Sequence, residues 1–278
     1  MTYNSHTFTN GEVLTAEKLN NIVSGVDNIY ETIDYRPRTN EPRKAVICFT
    51  FDDGRTTDST VYNIFKEKGM VCSFALPTTV SSRYSEYLQY QKDGFEILSH
   101  STDSDGMSDA SASVSSIESK FKNSKKNLEN AGFNITAWVT PRSAMHEDYI
   151  PALRKYYDLG FTIYCGKWED DANGHMIPYN TLTDDLHGLW RVALESTSIE
   201  RVKLAIDEAV ANTGYLNFYA HDFSNGLTQN ELKEVLDYVK TYVNAGTCIV
   251  TTVTKGYLHY YTLRHSDLVG LLSDSATV

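Results

Sequence analysis

An α/β barrel of about seven parallel strands, carried behind a short N-terminal coiled-coil helix, is the fold this sequence predicts. Two patterns point to the barrel and one to the helix. From Ala45 onward, apolar strand-like runs alternate with helix-like runs, and strands joined through crossover helices lie parallel in one sheet. Several of those runs end in ionisable residues, as strands do where a barrel gathers its loops on one face. Ahead of them, Leu19, Ile22, Val26, Ile29 and Ile33 recur at intervals of three and four, which is the a/d seam of a heptad.

The elements divide into two stretches, residues 1–40 and 41–278. In the first, a seam of about two heptads is marginal as a lone helix, so a partner must cover it. β-Branched residues at both seam positions favour three strands, which implies a homotrimer. A helix packed on its own domain is the alternative. The polar segment Arg36–Arg43, with two prolines, separates the helix from the strand-like run at 45–51. In the second stretch, strand-like runs fall at 45–51, 72–77, 95–100, 135–140, 161–165, 190–195, 215–220 and 248–253. With so many strands a closed barrel is favoured over an open doubly wound sheet. Val61, Ile64 and Phe65, and then Leu232, Val235, Leu236, Val239 and Val243, have helical spacing. A helix is expected over 147–160. Thr197…Glu200 and Thr228…Glu231 read as capping boxes. Gly69, Gly132, Gly160, Gly214 and Gly246 stand where helix-ending glycines belong.

Composition narrows the function. Hydrophobic residues make up 41% of the 278 and charged residues 22%, enough apolar material for a sizeable core. The net charge of −11 argues against binding nucleic acid through its phosphates and disfavours an anionic membrane surface. A neutral or cationic substrate suits it better. No run is long and apolar enough to insert in a membrane. Residues 1–20 hold no apolar core of a secretory leader, so work outside a cell would need another route. Cys48, Cys72, Cys165 and Cys248 form no Cys-x-x-Cys pair, and the three in apolar runs read as buried free thiols.

The ends of the strand-like runs carry the chemistry. The run 45–51 delivers Asp52 and Asp53, and 95–100 delivers His100. The run 135–140 delivers Pro141 and Arg142, and 215–220 delivers His221 and Asp222. Each alone is weak, since Asp commonly caps a following helix. Together they make a site.

Thr50-Phe51-Asp52-Asp53-Gly54, His100-Ser101 and the apolar run ending in His221 resemble the polysaccharide deacetylases, carbohydrate esterase family 4, over about residues 44–256. The resemblance implies that Asp52 is a general base, Asp53 and His100 are ligands of a divalent metal (zinc first), and His221 is the general acid. One carboxylate stays free to take a proton from water while its neighbour anchors the cation. Where the family motif places a second histidine this chain has Ser104, a far poorer ligand. Asp103, Asp105 or a water held by Ser104 completes the site, or the metal site is lost. Pro141-Arg142-Ser143-Ala144 resembles a substrate-binding motif of the family, and Val139 stands where an arginine often lies. Arg142 is a candidate to steady Asp52 in its place. The acid that orients the general-acid histidine has no clear match, with Asp170, Asp171, Asp184 and Asp185 as candidates. Leu216 corresponds only loosely to the family's pocket leucine, and Trp168 and Trp190 read as core residues that could also line a sugar platform.

The resemblance implies removal of N- or O-acetyl groups from an acetylated polysaccharide. The rival is an inactive barrel that binds carbohydrate in host adhesion, which Ser104 favours. Phe8–Asn20 resembles the start of many phage tail and baseplate proteins. That places the protein on a virion, outside cells without a leader, or in the cytoplasm if it is not of phage origin.

Overall fold

The first strand, Ala45-Val-Ile-Cys-Phe-Thr-Phe-Asp52, is buried on both faces, as a strand of a helix-wrapped parallel sheet must be. It is β1 of the computed structural model, which describes residues 43–102, 107–143, 145–164, 177–181, 184–224 and 226–260. Alternation sends Ala45, Ile47, Phe49 and Phe51 outward to a core shared with the helices. Val46 and Cys48 point inward to a second core inside the barrel. Thr50 and Asp52 continue the inward row.

The remaining strands are β2 (Ser73–Leu76), β3 (Glu96–Ser99), β4 (Ala137–Val139), β5 (Leu159–Tyr164), β6 (Leu189–Ala193), β7 (Tyr215–Ala220) and β8 (Cys248–Val250). Each of the first seven pairs with its neighbour in chain order. β1 then pairs with both β7 and β2, closing a seven-stranded parallel barrel. β8 adds alongside Ala45–Ile47 of β1, below the residues that pair with β2. The barrel expected from the sequence is therefore the fold.

The helices α1 (Asp58–Lys68), α2 (Tyr84–Lys92), α3 (Val114–Asn130), α4 (Ile150–Leu153), α5 (Ile199–Ala211) and α6 (Gln229–Asn244) lie between the strands in sequence. Their apolar rows, such as Val61, Ile64 and Phe65, or Leu232, Val235, Leu236 and Val239, are buried. Residues 253–260 form a last helix, α7, whose Val253 and Tyr260 join the inner core. Its start is tied down by Glu96, which accepts the Thr254 amide at 3.1 Å, and by Tyr215, whose hydroxyl donates to the Val253 carbonyl at 2.9 Å. The end of the barrel opposite the strand tips is thereby plugged.

Several local expectations change. Thr228 and Glu231 do form a capping box at α6, but α5 is capped by Ser198, which accepts from the Arg201 amide, rather than by Thr197. The helix expected over 147–160 shrinks to a 3₁₀ turn and four helical residues, because β5 begins at Leu159. Gly160 lies inside that strand, and a side chain there would meet Leu153 Cδ2 at 2.7 Å. Gly214 precedes β7 and packs on Tyr179. Both are glycine for close packing, not for ending a helix. Cys48, Cys72 and Cys248 are buried and free. The coiled-coil seam over 19–33, the segment 8–20, Cys165, Trp168, Asp170 and Asp171 lie outside the described residues. Among the described residues, no helix is long and apolar enough to cross a membrane.

Candidate active site

The inward rows of β1, β3, β6 and β7 bring their last residues together at one mouth of the barrel. Asp52 ends β1 only 2% exposed. Its two carboxylate oxygens accept from Nη1 and Nη2 of Arg191, each at 2.8 Å. This is a bidentate pair with both partners buried. Burial alone would push the Asp52 carboxyl up, but the Arg191 charge, with His100 and His221, holds it below its ordinary value. Asp52 is therefore ionised at neutral pH.

Arg191 is held flat by aromatic rings. Its guanidinium carbon lies 4.5 Å from the centre of Tyr219 on β7 and 5.7 Å from that of Phe161 on β5, within cation–π range. The arginine that steadies Asp52 is thus on β6. The expectation for Arg142 is corrected, since that residue sits exposed after β4, in a left-handed conformation with φ 57°. Pro141, next to it, is buried at the start of the same turn.

Asp53 leaves the strand row. With φ 72° it is left-handed, and Gly54 follows at φ 63°, so the chain turns sharply at the end of β1. The turned carboxylate meets His100 Nε2 at 3.3 Å on one oxygen and Arg55 Nη2 at 2.7 Å on the other. The hydrogen bond from His100 comes first among the causes that hold the Asp53 carboxyl well below the usual range, against an opposing push from burial. His100 is 5% exposed, and its Nδ1–H donates to the Val139 carbonyl at 2.9 Å. With Nδ1 so committed, Nε2 faces Asp53 either as a second N–H or with its lone pair turned towards a shared cation. A carboxylate oxygen and an imidazole nitrogen whose other nitrogen is anchored to a carbonyl fit the first two positions around a divalent metal. Among the described residues no third His, Cys, Asp or Glu joins them. Ser104, Asp103 and Asp105 lie outside the described residues. Ser101, also left-handed at φ 73°, is buried beside His100, and its Oγ has no hydrogen-bond partner among the described residues.

On the strand beside β1, His221 follows β7. Glu195, two residues past β6, accepts from its Nδ1–H at 2.6 Å and from its backbone amide at 2.9 Å. That hydrogen bond is the first cause raising the His221 pKa above its ordinary value, with desolvation opposing and Asp52 adding to the rise. The imidazole therefore keeps its second proton to higher pH than a free histidine. Gly226 lets the next loop settle on Glu195, since a side chain there would meet the Glu195 carbonyl oxygen at 2.5 Å. Glu195 corrects the search for an orienting acid. Asp184 is occupied with the Thr181 amide and hydroxyl, and Asp185 with Arg154. Leu216 faces the outer core, and Tyr219 is the inward residue nearest His221 on that strand, with ring centres 6.1 Å apart. Trp190 is core.

Sequence reasoning missed Arg191 and Glu195, although both left a trace. Arg191 is the lone charge in Leu189-Trp-Arg-Val-Ala193, and Glu195 ends the run read as 190–195. The strand-end rule that found His221 applies equally to Glu195.

Barrel topology and a mouth lined by a buried ionised carboxylate, an imidazole–carboxylate pair and a histidine of raised pKa define the class: a (β/α) barrel with titratable side chains gathered at one mouth. The comparisons agree. The polysaccharide deacetylase family model matches residues 39–162, from before β1 into β5, and no curated protein matches the sequence. The fold is similar to peptidoglycan deacetylase PdaC from Bacillus subtilis (TM-score 0.51, 16% identity, 82% of this chain and 97% of that one). It is also similar to the carbohydrate esterase family 4 domain of a xylanase from the hindgut metagenome of Trinervitermes trinervoides (TM-score 0.51, 17%, 77% and 90%). A family 4 pseudoenzyme from Bacillus anthracis resembles it too (TM-score 0.50, 13%, 77% and 66%). The family model thus covers the first four strands of the barrel and enters the fifth, and the solved structures share its fold.

Proposed function

We propose that this barrel hydrolyses acetyl groups from a carbohydrate, as an N-deacetylase or O-acetyl esterase. The observation that carries the reading is the contrast between two tuned groups: Asp52, held ionised by Arg191, and His221, whose pKa Glu195 raises. Paired titratable groups pushed apart in this way suit a base and an acid working in one cycle.

Asp53 and His100 would hold a divalent metal, which supplies Lewis-acid polarisation of the acetyl carbonyl and a more acidic water. Asp52 takes a proton from the attacking water as its oxygen bonds to the acetyl carbon. Arg191 keeps that carboxylate aimed and ionised. His221 then gives its proton to the departing sugar nitrogen or oxygen as the carbon–heteroatom bond breaks, releasing acetate. Glu195 steadies the imidazolium. The neutral acetylated sugar suits the acidic chain, and Pro141 and Arg142, in the turn after β4, are the residues that would contact it.

The test is acetate release by the full chain, loaded with zinc or cobalt, from acetylated chitin oligomers, acetylated xylan and peptidoglycan. Wild type is expected to release acetate from at least one, and Asp52→Asn to lower that rate at least about 100-fold. No release from any of them overturns the reading. Glycan retained equally by wild type and Asp52→Asn would then establish the rival role that Ser104 suggests, a barrel that only binds.

We also propose that the protein is mounted on a phage tail as a homotrimer, where it reaches polysaccharide outside the host cell. The support is the likeness of Phe8–Asn20 to phage tail proteins and the seam from Leu19 to Ile33. Light scattering of the full chain at micromolar concentration is expected to give three times the chain mass, and a monomer would overturn this.

A further inference from the structure

We propose that Arg83 is a positioning residue for Asp53, acting through the main chain of the turn that aims this carboxylate at His100. The inference rests on the reading of Asp53 and His100 as metal ligands. Asp53 and Gly54 are successive left-handed residues, a conformation costly for an aspartate and kept only where the surroundings hold it. Arg83 supplies that hold. Its Nη1 donates to the Gly54 carbonyl at 2.7 Å and also to the Arg55 carbonyl. The Arg55 carbonyl in addition accepts the Asp58 amide at 3.1 Å, where α1 begins.

The guanidinium is itself fixed from behind. Nε and Nη2 donate to Glu86 Oε2 at 3.0 and 2.8 Å, and Glu86 accepts from the Tyr90 hydroxyl. The guanidinium carbon sits 5.1 Å from the centre of the Tyr87 ring. The Tyr87 hydroxyl then donates at 2.6 Å to buried Asp58, so the segment 83–90 grips the turn at both its carbonyls and its exit. Val80 fills the remaining space, 3.0 Å from where a Gly54 side chain would begin. Arg83's partners on the turn are carbonyl oxygens, so it acts by fixing where Asp53 points rather than at the reacting atoms. Nη1 serves both carbonyls while Nε and Nη2 hold Glu86; a lysine could offer its single ammonium to the carbonyls but lacks the second pair of donors that Glu86 fixes.

The experiment is cobalt(II) titration of the full chain, followed by the visible d–d absorption, for wild type, Arg83→Met, Arg83→Lys and Glu86→Gln. Removing support of this kind from a metal ligand lowers affinity about 10- to 100-fold. That loss is expected in Arg83→Met, with a changed cobalt spectrum, and a smaller one in Arg83→Lys and Glu86→Gln. Circular dichroism checks that each variant is folded. If Arg83→Met does not fold, the two milder variants decide. A wild type that loads cobalt, with folded variants matching its affinity and spectrum, overturns the role of Arg83 alone. A wild type that takes up no cobalt overturns the metal reading and this inference with it.

Discussion

Arg191→Met is expected to destabilise the fold by about 3–5 kcal/mol at neutral pH, because it leaves the Asp52 carboxylate buried without its counter-charge. The loss should depend on pH in a defined direction. In the wild type the folded Asp52 has a lowered pKa, so its ionised form contributes stability above the unfolded carboxyl value of about 4 and loses it as pH falls through the folded value. In the variant, burial dominates and the carboxyl is raised instead, so stability falls as pH rises above about 4. The gap between the two proteins therefore widens from pH 4 to pH 7.5, and urea unfolding at both pH values measures it. An equal gap at both would mean that Arg191 serves mainly as packing between Tyr219 and Phe161. Acetate release should fall together with the neutral-pH stability, since Asp52 would no longer be held ionised and in place.

Glu195→Gln is expected to move the alkaline limb of kcat to lower pH. Glu195 is the first cause of the raised His221 pKa, and glutamine keeps a hydrogen-bond acceptor while removing the charge. The imidazole then loses its second proton earlier as pH rises, and kcat at pH 8 should fall about 10- to 100-fold. The acid limb, which reports Asp52, should stay in place. A pH profile unchanged in shape would remove His221 from the role of proton donor. The two variants act on different titrating groups, Asp52 and His221, so moving separate limbs distinguishes base from acid.

How much of this was legible depends on distance along the chain. Asp52, Asp53, His100 and His221 could be read from the sequence because each directly ends an apolar run, and a strand that ends in a polar residue says so within six or seven letters. The arginine could not be assigned in the same way. Arg191 and Asp52 are separated by 139 positions, and they meet only because β6, β7 and β1 are neighbours in the closed sheet. Arg142 was a reasonable local candidate next to Pro141, yet its turn leaves it exposed. The Glu195–His221 pair likewise depends on β6 and β7 lying side by side.

The sequence by itself determined the class of fold and the places where chemistry is offered. Strand and helix periods, and polar residues at strand ends, are set by near neighbours and by the demand that apolar faces be buried. The tertiary structure alone decided which groups become partners. Barrel closure brings the inward rows of distant strands to one mouth, where removal from water makes each charge depend on the one beside it. Arg191, rather than Arg142, therefore sets the state of Asp52, and Glu195, rather than Asp184 or Asp185, sets that of His221.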